Sequence, residues 1–260
     1  MNAASVIKLG GSQLEGMATA WWDDFASHAF TYPVIAVHGW SKPLREFQQK
    51  KGVETVLITD RYGNQSRLTT QDVIDDIRHV SGVIASSVCS QLRARGINLI
   101  HHFGTDGLLT TGPSESKWWI NKKLTHFDNR VGPIDQVDSS LLPEPLPGTV
   151  HLITPLARNP EGLEVNTDAD RAAAAIAGAT ATPNLHLITD VEGVIADGKV
   201  QRQLSLAEAL RVRDTNARGG MRKKLRAAGE AIEAGVERVY IGSGTLTSLN
   251  SQKTGTVISP

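Results

Sequence analysis

Cysteine is almost missing from this chain: Cys89 is alone among 260 residues. One thiol closes no internal disulfide, which excludes the stapled small secreted folds, and its place in an apolar helical pattern reads as a buried structural thiol. Net charge is missing too. The 27 basic and 27 acidic residues cancel to +0, so no global attraction to nucleic acid or a membrane surface is expected, and any basic site must be local. No apolar run approaches the roughly 20 residues of a membrane span. The opening "MNAASVIKLGG" runs into a strand with neither a basic n-region nor an apolar h-region, so a cytoplasmic protein is expected. Repeats, low-complexity tracts and a clear linker are absent. Neither the P-loop pattern nor the dinucleotide fingerprint occurs. His101-His102 has no further ligands at metal spacing, so the pair reads as lining or capping a pocket rather than as a metal site.

What the chain does have is alternation. Apolar strand-like runs, "SVIKL" (5–9), "VIAVH" (34–38), "INLIHH" (97–102), "TVHLITP", "LHLITD" and "RVYIG", are separated by helical stretches, and "GTVIS" reads as a closing edge strand. The glycines after "SVIKL" lead into a helical stretch to about Ala29, and a short helix follows from about Pro43. The stretch from Thr70 to Gly96 has a Thr cap, early acids, late arginines and a terminal Gly, as one long helix should. Residues 103–148, polar and rich in turn formers, suggest a hairpin insertion. The helices "TDADRAAAAIAGA" and "MRKKLRAAGEAIEAG" and the hairpin "VIADGKVQ" complete the second half. Strands separated by helices imply an α/β fold, a three-layer α/β/α sandwich with a mainly parallel central sheet. A chain of this length fits one domain over 1–260, with approximate lobes 1–155 and 156–260.

Ligands of open α/β sheets gather at the carboxyl ends of strands. Three turns there have anion-binding chemistry. In "KLGGS", Lys8 sits in an otherwise apolar strand, and Gly10 and Gly11 can expose N–H groups. In "HGWS", Gly39 follows a strand and precedes Trp40 and Ser41; in "GGMRKK", two glycines precede a helix that carries Lys223 and Lys224. Each could be a plain turn. Together, in order, they resemble the amino acid kinase family, and within it the acetylglutamate kinases and their carrier-protein relatives. "VIKLGGS" resembles the opening strand and phosphate loop, "VHGWS" the His-Gly-Gly turn, and "SRLT" (66–69) the carboxylate-binding Arg segment. "EVNTDADRAAAAIA", "LITDVEGV" and "GGMRKKL" resemble the family's Asn/Asp segment, nucleotide-side strand and Gly-Met-x-x-Lys helix start. The match covers nearly the whole chain.

The resemblance implies ATP-dependent phosphorylation of a carboxylate, with Mg²⁺ held mainly by the ATP phosphates. It implies Lys8, Lys224 and Asp170 as catalytic residues, with Asp170 holding both lysines. Gly10, Gly11, Gly39, Trp40 and Ser41 would bind phosphate, and Arg67 and Asn166 the acceptor. Thr189, Asp190, Gly220 and Met221 would bind the nucleotide, and a dedicated metal site is not expected. Asp168 could be catalytic or only a helix-terminus residue. The family has Gly where this chain has Trp40, so the indole either turns outward onto the acceptor side or blocks the usual approach. The branch most resembled phosphorylates glutamate or 2-aminoadipate held on a small acidic amino-group carrier protein. Lys117, Lys122, Lys123 and Arg130 would dock that carrier, with Trp118 and Trp119 as anchors, or form a solvated hairpin whose tryptophans pack on their own sheet. A homodimer through the N-terminal half is implied; nucleic acid and membrane are not. Free N-acetylglutamate as acceptor, a regulatory protein without turnover, and a kinase of the same fold acting on carbamate or a nucleoside monophosphate are the alternatives.

Overall fold

The computed structural model describes residues 4–11, 14, 16–60, 65–114, 116–120, 123–127, 129–142, 144 and 146–260. Its centre is one eight-stranded sheet. The strands are β1 (Ser5–Leu9), β2 (Val34–His38), β3 (Asn98–Phe103), β4 (Thr149–Thr154), β5 (Asn184–Ile188), β6 (Gln203–Ser205), β7 (Arg238–Gly242) and β8 (Thr256–Ser259). Their order across the sheet is β6-β8-β7-β5-β1-β2-β4-β3. Six run parallel; β8 is antiparallel to β7, and β6 runs parallel to β8. The sheet is therefore mainly parallel, as expected. The final strand is not an edge, however, because the short polar strand β6 pairs on its outer side.

β1 and β2 are buried at every position because helices cover both faces. On one face Val6, Val37 and Ile153 pack with α4 (Ala169–Ala179), α5 (Leu206–Thr215) and α6 (Gly219–Glu233). On the other, Ile7, Leu9 and Leu152 pack with α1 (Thr19–Thr31), α2 (Ser41–Lys50), α3 (Gln71–Arg93) and α7 (Leu246–Asn250). Small residues set how closely α4 and α6 approach: a Cβ at Gly178 would lie 2.6 Å from that of Ala234, just past the end of α6.

Several expectations shift. α1 begins only at Thr19, so Gly10 and Gly11 do not open it. Thr70 occupies the N-cap position of α3 without a side-chain hydrogen bond, and Cys89 is half-buried rather than buried. The 103–148 region is divided between two small sheets. One orders the strands Gln65–Arg67, Leu57–Asp60, Lys117–Ile120 and Lys123–His126, all antiparallel. The other joins Leu109–Thr111 and Ile134–Val137 to Leu156–Arg158 and Glu164–Asn166.

Candidate functional site

Strand β1 delivers Lys8 to the face covered by α4 and α6. The first turn of α4 delivers Asp170 and the second turn of α6 Lys224, and close helix packing makes them meet. Lys8 Nζ lies 2.9 Å from Asp170 Oδ1, and Lys224 Nζ lies 3.0 and 2.9 Å from the two carboxylate oxygens. All three side chains are buried. Two ammonium groups share one carboxylate, which leaves one positive charge in excess. Burial alone would push Asp170 up, but the two lysines overrule it and hold the carboxyl well below the usual carboxylate range. Burial likewise presses on both lysines. For Lys8 the attraction of Asp170, with Asp168 behind it, wins and its pKa is raised; for Lys224 desolvation and the charge of Lys8 win, and its pKa is lowered.

The glycine loops come together beside Lys8. A Cβ on Gly11 would lie 2.4 Å from the Gly39 carbonyl oxygen, so that position admits no side chain. A Cβ on Gly39 would lie 3.7 Å from Lys8 Cε and 3.8 Å from the Ala169 side chain. Gly10 is buried beside them. Trp40 takes the N-cap position of α2 without a side-chain cap, and Ser41 begins the helix. The Trp40 indole neither turns outward nor stays exposed. It is 5% exposed, packs in the core on the α1–α3 face, and meets His38 edge-on at 6.0 Å.

Asp168 and Asp170 take different positions at "TDAD". Asp168 caps α4, accepting from the N–H groups of Asp170 at 3.0 Å and Arg171 at 3.2 Å. It also lies 3.6 Å from the exposed Lys223, whereas Lys224 is the lysine turned inward. Thr189 follows β5, is buried, and donates its N–H to Gly242 O; Asp190 beside it is exposed. Gly220 and Met221 lie in the first turn of α6, which opens on Gly219 with φ +50° and no side-chain cap.

Arg67 stands apart from the triad. Its Nη1 donates to Gln48 Oε1 at 2.8 Å and Thr55 Oγ1 at 2.9 Å, and its Nη2 to the Ser41 carbonyl at 3.4 Å. Burial, then the nearby Arg45, lower its pKa, and among the described residues no carboxylate partners it. It is joined to Asn166 through Thr69, whose hydroxyl donates to Arg67 O and accepts from Asn166 Nδ2 at 3.3 Å. Asn129, fully buried, locks the same segment: its Oδ1 accepts from Thr69 N at 2.6 Å and its Nδ2 donates to Arg67 O at 3.3 Å. Sequence reasoning missed Asn129, because an Asn among turn residues looks like another turn residue.

It also missed a neutral cluster on the opposite face of the sheet. The Thr154 hydroxyl sits 2.6 Å from His38 Nε2 and 2.8 Å from His101 Nε2. Burial, with His101 close by, pushes His38 down to about 3, so both imidazoles are neutral at pH 7. His102 turns to the other face and pairs with His151 at 3.0 Å. The two adjacent histidines thus serve two different places.

Of the docking residues, Lys117, Lys123 and Trp119 are exposed on the four-stranded antiparallel sheet. Trp118 is 4% exposed and packs toward Phe127, so it cannot anchor a partner. Arg130 is half-buried and bonded to Gln71. Lys122 lies outside the described residues.

A model of the amino acid kinase family matches residues 4–243. The chain belongs to the amino acid kinase family. Two curated family members are similar over most of their length. One, named a putative [LysW]-aminoadipate/[LysW]-glutamate kinase of Nitrosopumilus maritimus, is 32% identical, over 92% of this chain and 91% of that one. The other, named a [LysW]-aminoadipate/[LysW]-glutamate kinase of Sulfurisphaera tokodaii, is 35% identical, over 86% of this chain and 88% of that one. Solved structures agree on the amino acid kinase fold. N-acetylglutamate synthase from Neisseria gonorrhoeae superposes with a TM-score of 0.77 at 22% identity, over 99% of this chain and 61% of that one. Carbamate kinase from Giardia lamblia gives 0.67 at 15% identity, over 99% and 98%.

Proposed function

We propose that this kinase transfers the γ-phosphoryl group of ATP to the side-chain carboxylate of glutamate or 2-aminoadipate whose amino group is borne on a carrier protein, giving an acyl phosphate. The observation that carries the reading is the buried Lys8–Asp170–Lys224 triad with its excess positive charge beside side-chain-free loops. A buried cation in excess calls for an anion, and phosphate oxygens fit that charge. The names of the relatives support the carrier-borne acceptor.

The acceptor carboxyl, with a pKa of about 4.3, is ionised at neutral pH and needs no general base. Asp170, held below the carboxylate range, takes no proton there and instead positions both lysines. The obstacle is bringing one anion up to a polyanion, and fixed positive charge at the point of transfer relieves it. Lys8 would face the transferring group and Lys224 the leaving side, with Gly10 and Gly11 offering N–H groups; the Gly39 N–H is already donated to Leu9 O at 2.9 Å, so Gly39 would serve by its lack of a side chain. Trp40 and Ser41 would add theirs, since an inward indole leaves the backbone N–H in place. Arg67 would hold the acceptor's α-carboxylate with a bidentate fork, steadied through Asn129 and Asn166. Thr189, Asp190, Gly220 and Met221 would lie on the nucleoside side. ATP supplies the phosphoryl group when bound, and its own phosphates would hold Mg²⁺.

In this reading 1–155 serves the acceptor, 156–260 the nucleotide, and the protein works in the cytoplasm as a homodimer. The test is ATP-dependent hydroxamate formation with a panel of acceptors. Trapped product with carrier-borne glutamate or 2-aminoadipate is expected. Product only with free N-acetylglutamate would move the enzyme to that acceptor, and ATP binding without product from any acceptor would make it a regulatory protein.

A further inference from the structure

We propose that the outward face of the small antiparallel sheet, centred on Trp119 and Leu124, is the docking surface for the protein that bears the acceptor; this rests on the carrier-borne reading above. The two faces of that sheet differ sharply. Ile58 and Trp118, at 1% and 4% exposure, point into the protein. Strand side chains alternate, so the residues next to them point out. Register pairs Trp119 with Leu124 on one side and Thr59 on the other, and Leu57 with Arg67. Lys117 and His126 pair in the neighbouring row of the same face.

Leu57, Trp119 and Leu124 are 53%, 43% and 43% exposed there, and Lys117 and His126 are exposed beside them. Among the described residues this face carries no Asp or Glu. An exposed apolar centre with Lys117 at one margin and Arg67 at another fits a partner with an apolar contact patch and an acidic rim. The face also leads to the site. Arg67 lies at one end of it, bonded to the Ser41 carbonyl at the start of α2, next to the Gly39 turn. A partner seated on Trp119 therefore presents its cargo where Arg67 can hold it. Lys123 pairs in register with Ile120, which puts it on the opposite face, and Arg130 is engaged with Gln71. Both fall outside the docking surface.

The experiment titrates a purified amino-group carrier protein, bearing glutamate or 2-aminoadipate, into the wild type and into Trp119→Ala, Lys117→Glu and Lys123→Glu. ATP affinity serves as the folding control. Trp119→Ala and Lys117→Glu are expected to weaken carrier binding by about tenfold or more. Lys117→Glu should also flatten the salt dependence, and Lys123→Glu should change binding less than about twofold. If Trp119→Ala loses ATP binding through misfolding, Lys117→Glu against Lys123→Glu decides. Unchanged carrier binding in Lys117→Glu, or equal losses in the two lysine variants, would overturn the surface while leaving the carrier reading intact. Loss of self-association in Trp119→Ala would assign the face to a second copy of this chain instead. A wild type that neither binds nor phosphorylates the carrier, yet phosphorylates free N-acetylglutamate, would overturn the functional reading and this surface with it.

Discussion

Two polar clusters lie at the ends of neighbouring strands, on opposite faces of one sheet, and they handle burial in opposite ways. Lys8, Asp170 and Lys224 keep their charges in the interior, held together by 2.9–3.0 Å contacts. His38, Thr154 and His101 give up charge altogether and rely on a shared hydroxyl. A neutral cluster needs no counter-ion, although here the buried His38 Nδ1 is left without a hydrogen-bond partner. A charged one with an unmatched cation is complete only when an anion arrives. The contrast supports the proposed role of the first cluster; the second joins strands β2, β3 and β4 just before the turn that carries Gly39.

The largest test of that contrast is Asp170→Asn. It strands two buried ammonium groups and should lower unfolding stability by roughly 3–5 kcal/mol, read from urea midpoints. A loss under about 1 kcal/mol would mean the triad is not held as described. Acid should show the same charge from the other side. Because the folded pKa of Asp170 is depressed from 3.8 to about 2, its stabilisation is full above the unfolded value and lost as pH falls through that window. The histidines act earlier. His38 is pushed to about 3, and His28 and His186 to about 4, all mainly by burial. Between those values and about 6.5 the unfolded chain binds protons that the native one refuses, so stability should fall as pH drops below about 6.5. A flat urea midpoint from pH 7 to 5 would contradict neutral burial.

Thr154→Val should cost less, about 1–3 kcal/mol, since it leaves two imidazole nitrogens without a partner but no bare charge. A loss as large as that of Asp170→Asn would erase the distinction between the clusters. Arg67→Lys should be smallest. An ammonium cannot reach Gln48, Thr55 and the Ser41 carbonyl together, so acceptor KM should rise about tenfold with ATP affinity nearly unchanged. An effect confined to ATP would remove Arg67 from the acceptor site.

The central strands were legible because a parallel sheet covered on both faces demands unbroken apolar runs, and "SVIKL" and "VIAVH" fold over the residues expected. That same rule made Lys8 conspicuous. Helix α5 escaped notice because it lies on the surface and buries only Ala209 and Val212, leaving almost no apolar period to read. The edge position of β6 was hidden for a similar reason, three residues being too short for a pattern. Pairing of Lys224 rather than Lys223 with Asp170 followed from the family register and agrees with the geometry. The direction of Trp40 could not be read, since it depends on the space left between α1, α3 and the sheet. Thr154 looked like an ordinary strand Thr until the fold brought two distant histidines to its hydroxyl.

The most direct measurement is hydroxamate-trapped turnover of Lys8→Ala beside the wild type, with ATP affinity measured on the same preparations. If the excess cation of the triad stabilises the transferring phosphoryl group, turnover should fall by roughly 10² or more while ATP affinity falls much less. Near-normal turnover in Lys8→Ala would contradict the account.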